Sequence, residues 1–260
     1  MNFLRQIIGV FLVTGVIGYA ADDSCQSSDL LHEREINPKL NHMSFDFSEF
    51  GEKEAMTLVR TIRCNRNLTS LDFEGNGMGY SGAIYLARIM KENHTIQELL
   101  LSRTNIGDAG AVVFAWVLDL SHSLITLDLS GCGITSMGGI ALAGALRQNR
   151  VLTNLLLHDN DVGDSGVIHI ADALEGNNTL KQLDLADNNI GDIGAEHLAL
   201  CLRVNKGLTH LYLAFNQIGV IGAKLLYDVV RNDNNTITTL QLESNDIGEE
   251  MESLFFNMGL

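Results

Sequence analysis

The stretch that decides the fold runs Leu180-Lys-Gln-Leu-Asp-Leu-Ala-Asp-Asn-Asn-Ile-Gly-Asp-Ile-Gly-Ala-Glu-His-Leu-Ala-Leu-Cys-Leu202. Its core, Leu183 and Leu185 with one residue between them, alternates with a period of two, which is typical of a short, half-buried strand. After a polar turn, the spacing from Gly194 through Leu198 to Leu202 is that of a helix with one apolar face. The stretch therefore predicts one strand, one turn and one helix.

The same pattern recurs along most of the chain. Units start at 68, 96, 124, 152, 180 and 208, a constant step of 28 residues, and a further unit starts at 237. A degenerate unit precedes them at 40. One unit cannot bury its apolar face alone, whereas stacked units can. We therefore expect a single α/β solenoid domain of about eight units over residues 40–260.

The turn between strand and helix repeats its polar and glycine positions. In Ile190-Gly191-Asp-Ile-Gly194, the first glycine is expected to free the chain at the turn. The second glycine should let the helix start close to its neighbour. A polar position before this motif should form a ladder of stacked amides. It is held by Asn76, Asn160, Asn188, Asn216 and Asn245, with Thr104 and Cys132 as departures.

This repeat resembles the ribonuclease-inhibitor class of leucine-rich repeats, which is also found in NOD-like receptors and Ran GTPase-activating proteins. The resemblance covers roughly residues 40–260. It implies a horseshoe arc with a parallel β-sheet on the concave face and α-helices on the convex face. The resemblance does not imply one activity, because function lies in the exposed side chains. We predict a non-catalytic, protein-binding scaffold, either an inhibitor or a receptor-like recognition module. The alternatives are a regulator of a GTPase, if the protein is cytosolic, and a fragment of a larger receptor.

The N-terminal residues predict a secretory signal peptide over residues 1–20. Arg5 supplies a short positive region, and the apolar run 7–19 is shorter than the ~20 residues that span a bilayer. Cleavage after Ala20 would leave residues 21–39 as a lead-in to the repeats and would make the protein secreted or extracellular. An uncleaved anchor or an apolar helix is the alternative. A cytoplasmic location also stays open, because the 28-residue class is more often intracellular.

Composition and charge narrow the class of partner. With 46% hydrophobic residues, the chain has enough apolar material for a folded core. The formal net charge of −15 argues against nucleic acid as a partner, because phosphate binding needs a basic surface. It also argues against docking on an anionic membrane, and we expect no stable membrane insertion once the signal peptide is removed. The expected partner is another protein, and a basic one would complement this charge.

The motifs that could indicate chemistry are explained by the repeat. Gly77-Met-Gly79-Tyr-Ser-Gly82 matches a dinucleotide loop, but two of its glycines are the repeat's own and no suitable acid ends the next strand. The fragments that begin at Asp159 and Asp187 resemble calcium loops but lack the spacing and the closing glutamate. The sequence offers no Ser/His/Asp set. We therefore predict no enzyme activity, no cofactor and no metal.

The cysteines and the glycosylation sequons are less decisive. Cys25, Cys64, Cys132 and Cys201 match no zinc or redox spacing, and two of them could be oxidised if the protein is exported. Otherwise they are a lone Cys25 and three buried or helix-end thiols. Four sequons make the chain a candidate glycoprotein, although the repeat generates most of them by itself. Their asparagines are Asn67, Asn93, Asn177 and Asn234.

The side chains between the strand leucines should point away from the core and form the binding face. A row that alternates acids with apolar side chains suits recognition of a protein, since tyrosine is a frequent hot-spot residue. A solvated inner face with scattered apolar residues is the alternative. The candidate ligand-binding residues are Asp72, Glu74, Glu98, Leu100, Asp128, Leu156, His158, Asp184, His210, Tyr212 and Gln241. Ser44 is a further residue of the central row, and flanking outward positions add His42, Asp46, Ser70, Asn154, Gln182 and Glu243.

Overall fold

The computed structural model describes residues 41–44, 62 and 65–258. These residues belong to one compact unit, which runs from 36 to 260. The predicted signal peptide and the lead-in to residue 39 lie outside the described residues, as do Asp46, Cys25 and Cys64. Among the helices that the structure describes, none is both long enough and apolar enough to cross a bilayer.

Strands and helices alternate along the described chain. The strands are β1 (His42–Ser44), β2 (Ser70–Asp72), β3 (Glu98–Leu100), β4 (Thr126–Asp128), β5 (Asn154–Leu156), β6 (Gln182–Asp184), β7 (His210–Tyr212) and β8 (Thr239–Gln241). The helices are α1 (Gly79–Glu92), α2 (Gly107–Leu120), α3 (Ser136–Leu146), α4 (Gly163–Leu174), α5 (Asp192–Val204), α6 (Val220–Asn232) and α7 (Gly248–Met258).

The strands form one parallel sheet in the order β1 to β8. Each strand pairs with the next in register, so that Leu183 lies beside Leu155 and Leu211. The sequence period sets this register, because equivalent residues of successive units become neighbours. The predicted α/β solenoid of stacked units is confirmed.

The core lies between the sheet and the helices. The buried apolar cluster includes Leu183 of β6 and Leu185, which directly follows β6. Leu198 and Leu202 of α5 belong to the same cluster. The second glycine of the turn permits this packing, as predicted. A Cβ on Gly194 would lie 2.7 Å from Asp164 Oδ1, closer than real Cβ contacts come.

The predicted amide ladder is present at the strand ends. Asn160 Nδ2 donates to the carbonyls of Leu129 at 3.0 Å and Leu157 at 2.9 Å. Its Oδ1 accepts the backbone N–H groups of Cys132 and Ile134. Asn160 thereby satisfies buried backbone groups of its own unit and of the preceding one, and Asn188, Asn216 and Asn245 do the same. The two departures are compatible with the ladder, because the Thr104 hydroxyl and the Cys132 thiol both donate to the Leu101 carbonyl.

A second asparagine ladder, which the sequence analysis did not predict, lies at the helix ends. Asn177 Nδ2 donates to the carbonyls of Leu146 at 2.7 Å and Asn149 at 3.2 Å, and its Oδ1 accepts the N–H of Thr179. The other ladder positions include Asn93, Asn149, Asn205 and Asn234.

Three asparagines of this ladder are also predicted glycosylation sites. The side chains of Asn93, Asn177 and Asn234 are buried, and their amide nitrogens donate hydrogen bonds. A glycan on those nitrogens would displace these bonds and bring sugar into a packed interior, so the folded chain disfavours the three predicted sites. Asn67, by contrast, is exposed. Its glycosylation stays a prediction.

The first glycine of the turn adopts two conformations. The prediction that it frees the chain is right for Gly107 and Gly163, whose φ angles are 61° and 58°. It is wrong for Gly191 and Gly219, which are extended with φ of −104° and −88°. The left-handed residues of those two turns lie earlier, at Asp187 and Asn189 in the first and at Phe215 in the second.

Candidate functional site

The strand face is the surface formed by the outward side chains of β2–β8 and by the residue two positions after each strand. Its central row takes one residue from each strand, and the sheet register places these residues side by side. Successive strands are ~4.8 Å apart, so alternate members of the row are about 10 Å apart. The row is Asp72, Leu100, Asp128, Leu156, Asp184, Tyr212 and Gln241.

The other predicted site residues flank this row on the same face. Glu98 and His210 lie at the first positions of β3 and β7. Glu74 and His158 follow two residues after β2 and β5. The described fold therefore places all the predicted ligand-binding residues on one surface, and each is exposed or half-buried.

The strand face is strongly asymmetric in charge. Residues 70–74, 98–102, 126–130, 154–158, 182–186, 210–214 and 239–243, which carry it, contain no lysine or arginine. The acids among them are Asp72, Glu74, Glu98, Asp128, Asp184 and Glu243.

The pKa of Asp184 reflects its burial and the neighbouring charges of the strand face. Burial raises the pKa of Asp184 above its ordinary value, and the Asp128 carboxylate adds to that rise. The hydrogen bond from the Ala186 N–H and the nearby His158 act in the opposite direction. A cationic group brought to this part of the face would stabilise the charged form of Asp184.

The three aspartates of the row also have a structural use that the sequence analysis missed. Asp128 Oδ1 accepts the backbone N–H of Ser130 at 2.9 Å, two residues beyond it. Asp72 and Asp184 make the equivalent bonds, at 2.9 and 3.0 Å. Such bonds stabilise the turn as the strand ends. A test of these acids as binding residues therefore has to preserve a hydrogen-bond acceptor.

A shallow depression of about 240 Å³ lies at the start of β2–β4. Beside it, Ser70 donates to Glu98 Oε2 at 2.7 Å and bonds His42 Nδ1 at 2.9 Å. Ser70 points outward as predicted, but these neighbours leave it only 8% exposed. The bonds fix the Glu98 carboxylate at the edge of the face. The lining residues are Thr69, Ser70, Gln97, Glu98, Ile125 and Thr126.

Glu74 is already engaged within the chain. Its carboxylate lies 3.6 Å from the guanidinium of Arg103, and both side chains are more than half exposed. An exposed pair of this kind contributes little to stability and is readily exchanged for another partner. Glu74 is thus a weaker binding candidate than the row residues.

The described cysteines are buried thiols. Cys132 and Cys201 are both free. Burial raises the pKa of Cys201 to about 12, which keeps it protonated and unreactive at neutral pH. Within the described residues, His, Cys, Asp and Glu side chains do not gather in threes that could hold a metal ion.

One surface residue escaped the sequence analysis. Phe215 is 64% exposed and has a φ of 58°, in the left-handed region. The equivalent residues in the turns after β2, β3, β4, β5, β6 and β8 also have a positive φ. Phe215 is the one aromatic residue among these equivalent positions, and this departure in residue type was the signal available in the sequence. The equivalent residues are Gly75, Arg103, Gly131, Asp159, Asp187 and Ser244.

The Leucine Rich repeat family model matches the chain seven times. The matched residues are 64–87, 92–115, 118–143, 148–171, 176–199, 204–226 and 233–250. The chain belongs to the leucine-rich-repeat family. Comparison of this leucine-rich-repeat protein with curated proteins gives no significant match.

Solved structures similar to this leucine-rich-repeat protein include the Caenorhabditis elegans tropomodulin C-terminal domain, at 14% identity and a TM-score of 0.50 over 57% of this chain and 91% of that chain. The actin-binding site 2 of leiomodin-1 matches at 18% identity with a TM-score of 0.49, over 58% of this chain and 86% of that chain. An internalin C2 of Listeria monocytogenes matches at 23% sequence identity with a TM-score of 0.46, over 73% of this chain and 68% of that chain. At these identities the tropomodulin likeness supports the fold alone.

Proposed function

We propose that this leucine-rich-repeat protein is a non-catalytic scaffold that recognises another protein through its strand face. The observation that carries this proposal is the central row, in which Asp72, Asp128 and Asp184 alternate with Leu100, Leu156 and Tyr212. On a sheet surface that faces only solvent, the half-buried leucines and the tyrosine between the acids would gain no further burial, whereas a docked partner would bury them. Aromatic side chains in such a setting are frequent hot spots of protein interfaces.

The partner that fits this face is a basic protein that also offers apolar contacts. The acids would attract it over a distance and speed its approach, while the apolar side chains would hold it after docking. At physiological salt the Debye length is about 8 Å, so acids about 10 Å apart act on a partner with partly overlapping fields. Nucleic acid would be repelled by the same charges.

The 28-residue period supports a finer proposal, membership of the ribonuclease-inhibitor-like class, and with it an inhibitor or receptor-like role. Residues 1–20 support secretion, in which case the basic partner would be extracellular. Intact-mass analysis of the product from a secretory host tests this part. Loss of residues 1–20 is expected, and retention of Met1 in a cytosolic product would contradict it.

The recognition function is tested by affinity capture with a matched pair of baits. Leu156→Lys places a cation in the middle of the row, and Leu200→Lys places the same cation on an exposed part of α5. A partner that docks on the strand face is retained by the wild-type chain and by Leu200→Lys but lost from Leu156→Lys. Equal recovery by all three baits would contradict the proposal.

A further inference from the structure

The turns that follow β5–β8 form a second surface, here called the loop rim, over residues 158–164, 186–193, 214–221 and 243–250. Within it the turn after β7 differs from its neighbours in chemistry. Phe215 occupies the place that Asp187 holds after β6, and Val220 occupies the place of Asp192. Both substituted side chains are exposed. The rim therefore changes from acidic to apolar at this one turn.

Phe215 is exposed at a conformation that disfavours it. Bulky residues rarely adopt a positive φ, and glycine and aspartate, which hold four of the six equivalent positions, tolerate it better. Arg103 is the other bulky residue at this position. The backbone there is fixed from both sides, because the Phe215 N–H donates to the Glu243 carbonyl and the Ala214 carbonyl accepts from Asp187. Residues held in strained conformations cluster at functional sites. An aromatic ring in this place bears the cost of the strain without the compensating gain of burial.

Other apolar side chains belong to the same part of the rim. Ile221 is 69% exposed, and Val220 beside it is also exposed. Ile193 is exposed at the position equivalent to Ile221 in the preceding unit. Equivalent positions of stacked units are neighbours in the solenoid. Exposed apolar residues gathered within a polar border are typical of interaction sites.

The charge of the loop rim identifies the kind of partner. The four turns that form it contain no lysine or arginine. Asp164 and Asp192 are engaged in hydrogen bonds to the next unit. Asp161 accepts a hydrogen bond from Asn189 Nδ2 on the exposed surface. The acids of the rim other than Asp164 and Asp192 are Asp159, Asp161, Asp187, Glu243, Asp246, Glu249 and Glu250. The complementary surface is a basic segment with one apolar side chain.

We propose that the loop rim is a docking site for a basic protein segment, with Phe215 as its apolar anchor. The loop rim adjoins the strand face and shares residues 158, 186, 214 and 243 with it, whereas Phe215 belongs to the rim alone. The inference rests on the proposed function only in that the partner is a protein. Tyr212 and Phe215 are three residues apart in one unit, so a large partner can reach both surfaces.

The test uses the full-length protein and two labelled twelve-residue probes at physiological salt. Both peptides consist of lysine and glycine, one with a central leucine and the other with a central alanine. Fluorescence anisotropy measures the preference for the leucine peptide, and we expect about tenfold for the wild-type chain, the ratio that 1.4 kcal/mol corresponds to. Phe215→Asn, which leaves the charge unchanged, should reduce this ratio to about one. Leu200→Asn, the matched control on α5, should retain it.

Phe215→Asn should at the same time raise the melting temperature, by about 2–4 °C for each kcal/mol of strain relieved. Weaker binding with higher stability separates an anchor from a packing residue, whose loss would lower both. The proposal is overturned if the wild-type chain binds neither peptide at millimolar concentration, if it shows no preference, or if Phe215→Asn keeps the preference. Should Tyr212→Ala abolish the preference while Phe215→Asn does not, the apolar contact belongs to the strand face, and only the rim proposal fails.

Discussion

Asp164 controls the conformation of Gly191, a residue of the next unit. Asp164 Oδ1 accepts the backbone N–H of Gly191 at 2.8 Å and that of Gly194 at 2.9 Å. Gly191 is then extended and begins α5 as its N-cap. The aspartate thus satisfies helix N-terminal donors that would otherwise lack a partner.

The same relationship explains the two turn conformations. Asp108 and Asp192 make equivalent bonds to Thr135 and Gly219, both of which are extended. Where Ser136 or Val220 stands in place of the acid, the following glycines, Gly163 and Gly248, have positive φ. The conformation of one turn is therefore set by the helix residue of the preceding unit.

This dependence predicts opposite results for two glycine substitutions. Gly163→Ala places a side chain at a φ of 58° and should lower the free energy of unfolding by ~1–2 kcal/mol. Gly191→Ala meets only ordinary contact, with Asp164 at 3.4 Å, and should be neutral or slightly stabilising. Urea unfolding of both variants measures the difference. Equal losses would show that the preceding acid does not decide the turn.

The core predicts a large effect at the strand leucines. Leu185 is fully buried, so Leu185→Ala should lower the free energy of unfolding by ~2–5 kcal/mol through lost burial and a cavity. Leu200→Ala, on the exposed side of α5, is the control and should change it by less than ~0.5 kcal/mol. A Leu185→Ala melting curve that coincides with the wild type would mean that the strand faces the other way.

The raised pKa of Asp184 leads us to expect that removing its charge increases the stability of the fold in a pH-dependent way. Because burial raises its pKa, ionisation of Asp184 disfavours the folded state, and this loss develops as the pH rises above the ordinary value of 3.8. Asp184→Asn keeps the acceptor for the Ala186 N–H and removes the charge. The variant should therefore be more stable than the wild type at pH 7, and the gain should shrink towards pH 3. Thermal unfolding across this range checks it, and a gain that grows on acidification would be the wrong sign.

The repeat period made the fold and the strand face predictable from sequence. Leu183 and Leu185 reveal the strand phase, and a 28-residue step then brings Asp128 and Asp184 onto one surface. Local patterns could not reveal interactions between units. The extended Gly191 donates to Asp164, which lies 27 residues earlier in the chain. The strain at Phe215 was likewise hidden, since its φ is a property of the turn and not of phenylalanine.

The central claim, recognition of a protein through the strand face, is tested most directly by the binding kinetics of a partner recovered by affinity capture. Surface plasmon resonance compares the wild-type chain with Asp128→Asn, which retains the acceptor for Ser130, and with Tyr212→Ala. We predict that Asp128→Asn lowers the association rate, with a smaller effect in high salt, and that Tyr212→Ala raises the dissociation rate about tenfold. Unchanged association and dissociation rates in both variants would contradict the claim.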